Sequence, residues 1–381
     1  MAGGSKRRNI LTSDAPLDPF PVHHLKRVER PTTAISDGVQ RIDQRDMAFA
    51  RATRGDYGEN VQRTFKDMEL NYSICAAEYE LTLHLGSYAA DREAPVRAAI
   101  PDDPAILTRH IKRLGYFLKA DLVGISEIPP YAVYSRDMDG NPVEVDAKYA
   151  VLLVMGKDSE TTAASSGRDR ICDSLSFSAY QRLALASQTM ANYIRRLGYP
   201  AEAQHFSLYP NFYKILIPPL LLWAGIGELG RSGIIISPFL GASYKVAAVL
   251  TDLPLVPDEP IDFGLQDFCR RCQICADRCP SKAISTGDKV TYNGYEMWRP
   301  DEERCARFFI TNRRSGSACN MCVKVCPWTR PNTWRHNLVR WSVQRSGLAR
   351  RAAIRAESIW PSHQEAREED KWWFDLNEAE E

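Results

Sequence analysis

The 381-residue chain has no surplus of charge of either sign: 49 Lys and Arg stand against 48 Asp and Glu, a formal net charge of +1. A broad nucleic-acid surface shows as a basic excess, so this balance argues against nucleic acid as a partner. Long hydrophobic runs are also missing. The most apolar stretch, 215–226, is broken by Pro218-Pro219 and is shorter than the roughly 20 residues a membrane span needs. Arg7-Arg8 hint at an export signal, but Thr12, Ser13 and Asp14 stand where its apolar core would have to be. The expectation is a cytoplasmic protein without a membrane segment. Cysteine is nearly absent outside one segment: of ten, only Cys75 and Cys172 lie outside 269–326. That distribution is unlike the disulfide scaffold of a short secreted chain and favours metal ligation in a reducing compartment. Cys75 and Cys172 are expected to be buried structural thiols.

The length suggests more than one folding unit. Residues up to about 60 are rich in Pro, Arg and Asp with little periodicity, and read as an extended arm wrapped on a core. Asp103-Pro104 opens a helix through Ile106, Ile111, Leu114 and Phe117. Apolar runs at 121–126, 149–155 and 245–251 have the length and β-branched content of buried strands. Between them, a stripe through Tyr180, Leu183, Ser187, Met190, Ile194 and Leu197 predicts a helix over 176–197, stopped by Gly198. A basic helical stretch (335–355) and a Trp-rich tail close the chain. The expected organisation is an arm and helical region over 1–100, an α/β (α+β) domain over 101–262, a cysteine module over 263–334 and a C-terminal helix and tail over 335–381.

The cysteines carry the sharpest signal. Cys269-x2-Cys272-x2-Cys275-x3-Cys279-Pro280 has the spacing of a bacterial two-cluster ferredoxin, in which the fourth cysteine serves the other cluster. Cys319-x2-Cys322-x3-Cys326-Pro327 repeats the last three positions, and Cys305 is the one candidate for the missing ligand. By elimination, one 4Fe–4S cluster takes Cys269, Cys272, Cys275 and Cys326, and the other takes Cys279, Cys305, Cys319 and Cys322. Zinc also accepts four cysteines, but from paired knuckles without the Cys-Pro endings. A ferredoxin module needs far fewer residues than precede and follow this one, so the pair of clusters is expected to feed an enzyme.

Several further blocks, in order along the chain, resemble the cobalamin-dependent reductive dehalogenases. They are Lys26-Arg-Val-Glu-Arg-Pro-Thr-Thr33, the segment Arg41 to Arg51, Gly225-Ile-Gly-Glu-Leu-Gly-Arg-Ser-Gly233 with Ile-Ile-Ile-Ser-Pro238, Ala247-Ala-Val-Leu-Thr-Asp-Leu-Pro-Leu255, Cys326-Pro-Trp328 and Lys371-Trp-Trp373. The resemblance implies a nitroreductase-like domain holding base-off cobalamin, fed by the two clusters, and an organohalide substrate, with halogenated phenols as the nearest analogy. It implies Tyr180 as proton donor, since a tyrosine keeps its proton at neutral pH, and Lys245 as the cation beside it. It places Gly225, Gly227, Gly230 and Gly233 near the corrin ring, where side chains would obstruct. No Asp-x-His-x-x-Gly motif is present, which suits cobalamin without a histidine ligand. The likeness is to the cytoplasmic catabolic type, here without a fused reductase region, so an external ferredoxin or flavin reductase is the expected electron donor. The basic 335–355 stretch is a candidate docking face for it, and Arg313-Arg314 could meet an anionic substrate group or form a solvated loop.

Two rivals differ at identifiable residues or properties. Epoxyqueuosine reductases share the cofactors but carry an Asp-Tyr-His motif where this chain has Ala179-Tyr180-Gln181. A non-catalytic electron carrier would hold the clusters and release no halide.

Overall fold

The computed structural model describes residues 17–67, 72–86, 96–167, 169, 171–206, 213–312, 318–359 and 368–373. The Arg7-Arg8 and Arg313-Arg314 pairs lie outside them. The strands are β1 (Lys26–Arg27), β2 (Leu122–Glu127), β3 (Tyr149–Gly156), β4 (Ala201–Gln204), β5 (Glu228–Leu229), β6 (Ile235–Ile236), β7 (Tyr244–Thr251), β8 (Ile261–Asp262), β9 (Val290–Tyr292) and β10 (Tyr295–Met297). The α-helices are α1 (Ala48–Arg54), α2 (Glu59–Asp67), α3 (Ser73–Gly86), α4 (Pro104–Phe117), α5 (Ser159–Ala164), α6 (Ile171–Arg196), α7 (Ile217–Trp223), α8 (Leu265–Arg271), α9 (Ile274–Asp277), α10 (Glu302–Thr311), α11 (Met321–Lys324), α12 (Trp334–Arg345) and α13 (Gly347–Ile359).

The centre is a four-stranded antiparallel sheet in the order β2–β3–β7–β4. Its strands are apolar at consecutive positions because both faces are covered. On one face Val151, Leu153, Met155, Ala247 and Val249 pack under α4 and α6, against Ile111, Leu183, Met190 and Ile194. On the other, Ala150, Leu152, Val154 and Leu250 meet Leu220, Leu221 and Leu222 of α7. The register sets Met155 opposite Lys245 and Gly156 opposite Tyr244, which carries the site below.

The helix signals hold with instructive shifts. Asp103 caps α4 by accepting from the Ala105 amide, with Pro104 at its first position. Helix α6 begins at Ile171, ahead of the start read from the stripe, because Ile171, Cys172 and Leu175 are buried as well. Pro218 and Pro219 lie in the first turn of α7, where a missing N–H costs nothing. The arm is less extended than its composition implied. Its stretch 48–54 forms α1, whose Ala52 packs with Tyr57, Val61, Ala306 and Ile310 between α2 and α10. The basic stretch 335–355 falls within two helices, α12 and α13, separated at Ser346 by an extended backbone. Cys75 and Cys172 are buried as expected. Trp373 of the tail is buried against Ala164, Ile171 and Tyr72. Among the described residues, no helix is long and apolar enough to cross a membrane.

Candidate functional site

The eight cysteines of 269–326 arrive on short helices and the loops between them, and the structure brings them close to one another. Cys269 and Cys272 each feel the charge of Cys326, and Cys275 feels all three. Cys305 feels Cys319 and Cys279, and Cys322 feels Cys319, Cys305 and Cys279. Cys322 also interacts with Cys275, so the two sets of four adjoin. Burial, with the neighbouring thiols adding to it, pushes Cys272 and Cys305 up to about 11 and Cys269, Cys275 and Cys322 higher still. Burial also pushes Cys279 upward, but the Ser281 hydroxyl and the amides of Ala283 and Ile284 outweigh it and lower that thiol. Thiols in such a setting ionise only against a strong positive charge, which an iron core supplies. Among the described residues, no three His, Cys, Asp or Glu side chains converge as they would on a single ion.

The Gly-Ile-Gly-Glu-Leu-Gly-Arg block is a clamp on this module. Glu228 is buried and accepts from the Thr32 hydroxyl (2.5 Å) and the amides of Phe263 (2.8 Å) and Leu265 (3.3 Å), tying the arm to the start of α8. Arg231, also buried, donates to the carbonyls of Cys269 (3.0 Å), Ser285 (2.9 Å) and Gly287 (3.0 Å) and sits over the Trp298 ring. The four glycines are explained by the same packing. A Cβ at Gly225 would lie 2.3 Å from the Glu259 carbonyl oxygen, at Gly227 2.3 Å from that of Ile236, at Gly230 2.8 Å from the Ile236 side chain, and at Gly233 2.9 Å from Pro300. The Cβ side of Gly225, Gly227, Gly230 and Gly233 thus faces other parts of this chain.

Tyr180 and Lys245 come together. Lys245, on β7, places its Nζ 4.8 Å from the centroid of the Tyr180 ring, which α6 presents from above. The same ring stacks on Phe206 at 4.7 Å, and Phe177 stands edge-on to both. They line a cavity of about 380 Å³ whose walls are largely aromatic, including Phe49, Phe65, Tyr79, Tyr134, Tyr213 and Phe309. The arm thus contributes to the site, since Gln44, Met47 and Phe49 close one side. Tyr213 holds its hydroxyl against the Val246 carbonyl at 3.1 Å. Burial, with Tyr180 and Tyr134 adding to it, raises its pKa well above that of the usual phenol, so it holds its proton more tightly. Tyr180 is only partly enclosed, so its place on the apolar stripe of α6 is the edge of the core and the wall of a cavity at once.

A second cavity, of about 640 Å³, is lined by a separate set of residues. Ser178 and Arg182 of α6 and Ser243 before β7 line it, as do Lys157, Lys324, Thr329, Arg330 and Asn332. Lys324, Thr329, Arg330 and Asn332 set this space against the cluster module, and Ser178, Arg182 and Ser243 each lie two residues along the chain from Tyr180 or Lys245. Nothing in the local sequence marks Lys157 or Asn320 as functional, and the block that holds Glu228 and Arg231 does not disclose their partners, which are far away in the chain.

The likeness to known proteins is extensive. Residues 268–329 match the 4Fe-4S double cluster binding domain. The catabolic reductive dehalogenase NpRdhA superposes with a TM-score of 0.89 at 34% identity, covering 95% of this chain and 52% of that one. Over nearly its whole length the chain is similar to the reductive dehalogenases. Within that family, the tetrachloroethene reductive dehalogenase of Desulfitobacterium hafniense is 35% identical over 208 residues, 52% of this chain and 36% of that protein. The Sulfurospirillum multivorans enzyme of the same name is 28% identical over 282 residues, 63% of this chain and 54% of its own length. The chain thus spans about a third to a half of these family members. Epoxyqueuosine reductase of Staphylococcus aureus is similar over a shorter segment, 34% identical across 114 residues.

Proposed function

We propose that this chain is a reductive dehalogenase: it replaces the halogen of an organohalide by hydrogen, consuming two electrons and one proton and releasing halide. The observation that carries the proposal is the Lys245 ammonium over Tyr180 in an aromatic cavity, beside a polar cavity that the cluster module closes. The substrate we favour is a halogenated phenol. Its ring matches the aromatic walls, and an NpRdhA structure carries 3-bromo-4-hydroxybenzoic acid.

The polar cavity fits base-off cobalamin chemically. The Ser178, Ser243 and Thr329 hydroxyls and the Asn332 amide suit a ring edged with amides, and Arg182 suits a phosphate. Cobalamin, when bound, supplies a low-valent cobalt able to take halogen from carbon. The chain's own residues do the rest. Aromatic walls exclude water and orient the ring. The Tyr180 hydroxyl gives its proton to the carbon that loses halogen, and Lys245 stabilises the phenolate left behind. The two clusters deliver electrons one at a time. Their source is a separate low-potential donor in a reducing cytoplasm. The exposed Arg335, Arg345, Arg351 and Arg355 of α12 and α13, with exposed Trp334 and Trp341, form its docking face.

The test is Tyr180→Phe in anaerobically reconstituted protein. Removing a general acid should cut halide release about 10²- to 10⁴-fold with iron content unchanged. Unaltered halide release would remove Tyr180 from the mechanism.

A further inference from the structure

Lys157 is a buried cation that the proposed chemistry does not use. It follows β3, and its amide donates to the Ser243 carbonyl at 3.0 Å, extending the β3–β7 ladder by one residue. In that register Lys157 lies on the same sheet face as Met155, and Met155 is opposite Lys245. Lys157 and Lys245 are therefore diagonal neighbours under α6. Lys245 turns toward Tyr180. Lys157 turns the other way: its Nζ reaches the Asn320 side-chain oxygen at 3.4 Å, and the Asn320 amide donates to the Cys172 carbonyl at 3.0 Å. Asn320 stands between the ligands Cys319 and Cys322, and the Cys322 thiol is one of the anionic groups that Lys157 feels.

Its surroundings make this charge unusual. Lys157 is 8% exposed and makes no ion pair with a carboxylate among the described residues. Burial, then the charge of Lys245, lowers its affinity for a proton; Cys172, Cys322 and Asp173 act in the opposite direction. An isolated buried ammonium is costly, and the cost falls when a negative group adjoins it. A four-iron cluster bound by four thiolates is such a group, and it gains one further negative charge on reduction.

We infer that Lys157 is a potential-setting residue: its ammonium stabilises the reduced form of the cluster held by Cys279, Cys305, Cys319 and Cys322. The inference rests on the two-cluster reading above. The step it affects is a one-electron reduction, with dithionite as donor; no bond forms or breaks and no proton moves. Because the charge lies beside one cluster, its removal acts on that cluster alone.

The experiment is a dithionite redox titration of the full reconstituted chain, followed by electron paramagnetic resonance, for wild type, Lys157→Met, Lys157→Gln and Lys157→Arg. Wild type must first show two clusters; a different iron count overturns the cluster reading itself. For Lys157→Met, we expect the reduced-to-oxidised ratio of one cluster at fixed potential to fall about tenfold, or about 59 mV for a one-electron couple. The other cluster is unchanged. Lys157→Gln, which can keep the bond to Asn320, falls equally, and Lys157→Arg stays near wild type. Unchanged midpoints in Lys157→Met or Lys157→Gln would overturn the inference, as would an equal shift of both clusters.

Discussion

Replacing Arg231 by Met tests the clamp most severely, because it keeps the apolar stem and removes only the guanidinium. Three carbonyls, those of Cys269, Ser285 and Gly287, lose a charged donor held at 2.9–3.0 Å. Hydrogen bonds to charged groups contribute about 1.5–3 kcal/mol each, which would sum to roughly 5–9 kcal/mol. Two effects reduce that sum. Gly287 is exposed and Ser285 half-exposed, so water replaces part of the loss, and burying the guanidinium, 2% exposed, is itself unfavourable. The net expectation is about 3–5 kcal/mol, in the range for breaking one side of a buried charged network. Lys26→Met is the control. Its 2.7 Å ion pair with Asp262 joins the same arm to β8, but the lysine is 68% exposed, so water screens the pair and leaves it little net worth. Anaerobic urea unfolding of the reconstituted chain, with iron analysis on the folded fraction, measures both. Arg231→Met should unfold at much lower urea and lose iron from the cluster nearest Cys269. A loss no larger than that of the control would refute the clamp.

Gly227→Ala should destabilise the protein by about 1–3 kcal/mol through overpacking against the β6 backbone, even in cobalamin-free protein. A normal stability without cobalamin and a loss only in its presence would return this glycine to the cofactor. Glu78 gives a pH signature. Burial pushes its carboxyl up to about 7, with Ser174 pulling back. A carboxyl whose folded value lies above its unfolded one loses stability as pH rises between the two. Stability should therefore fall between about pH 4.5 and 7, by up to about 3 kcal/mol, and Glu78→Gln should remove that slope in denaturant unfolding at pH 5 and 7.5.

What the sequence discloses here is what short-range spacing encodes. The Cys-Pro motifs, the strands at 121–126, 149–155 and 245–251, and the Asp103-Pro104 helix start all depend on neighbours within a few positions. Tyr180 and Lys245 came from resemblance, and they meet only because β7 runs beneath α6. Long-range partnerships carry no local signal. Arg231 reaches Ser285 and Gly287, Glu228 reaches Thr32, and Lys157 reaches Asn320. The glycines of 225–233 show the same limit. A glycine-rich run says that something approaches the backbone closely, and only the fold says that the neighbours are Glu259, Ile236 and Pro300. The arm likewise reads as extended because the apolar residues that order α1 include Ala306 and Ile310 of the distant α10.

The most direct test of the account is anaerobic reconstitution with iron, sulfide and cobalamin, followed by metal analysis and a halide-release assay on a bromophenol with a low-potential donor. The account predicts about eight irons, four for each of two clusters, one cobalt per chain, and bromide released in step with the dehalogenated phenol. Eight irons with no cobalt retained and no bromide released would contradict it and leave an electron-transfer protein.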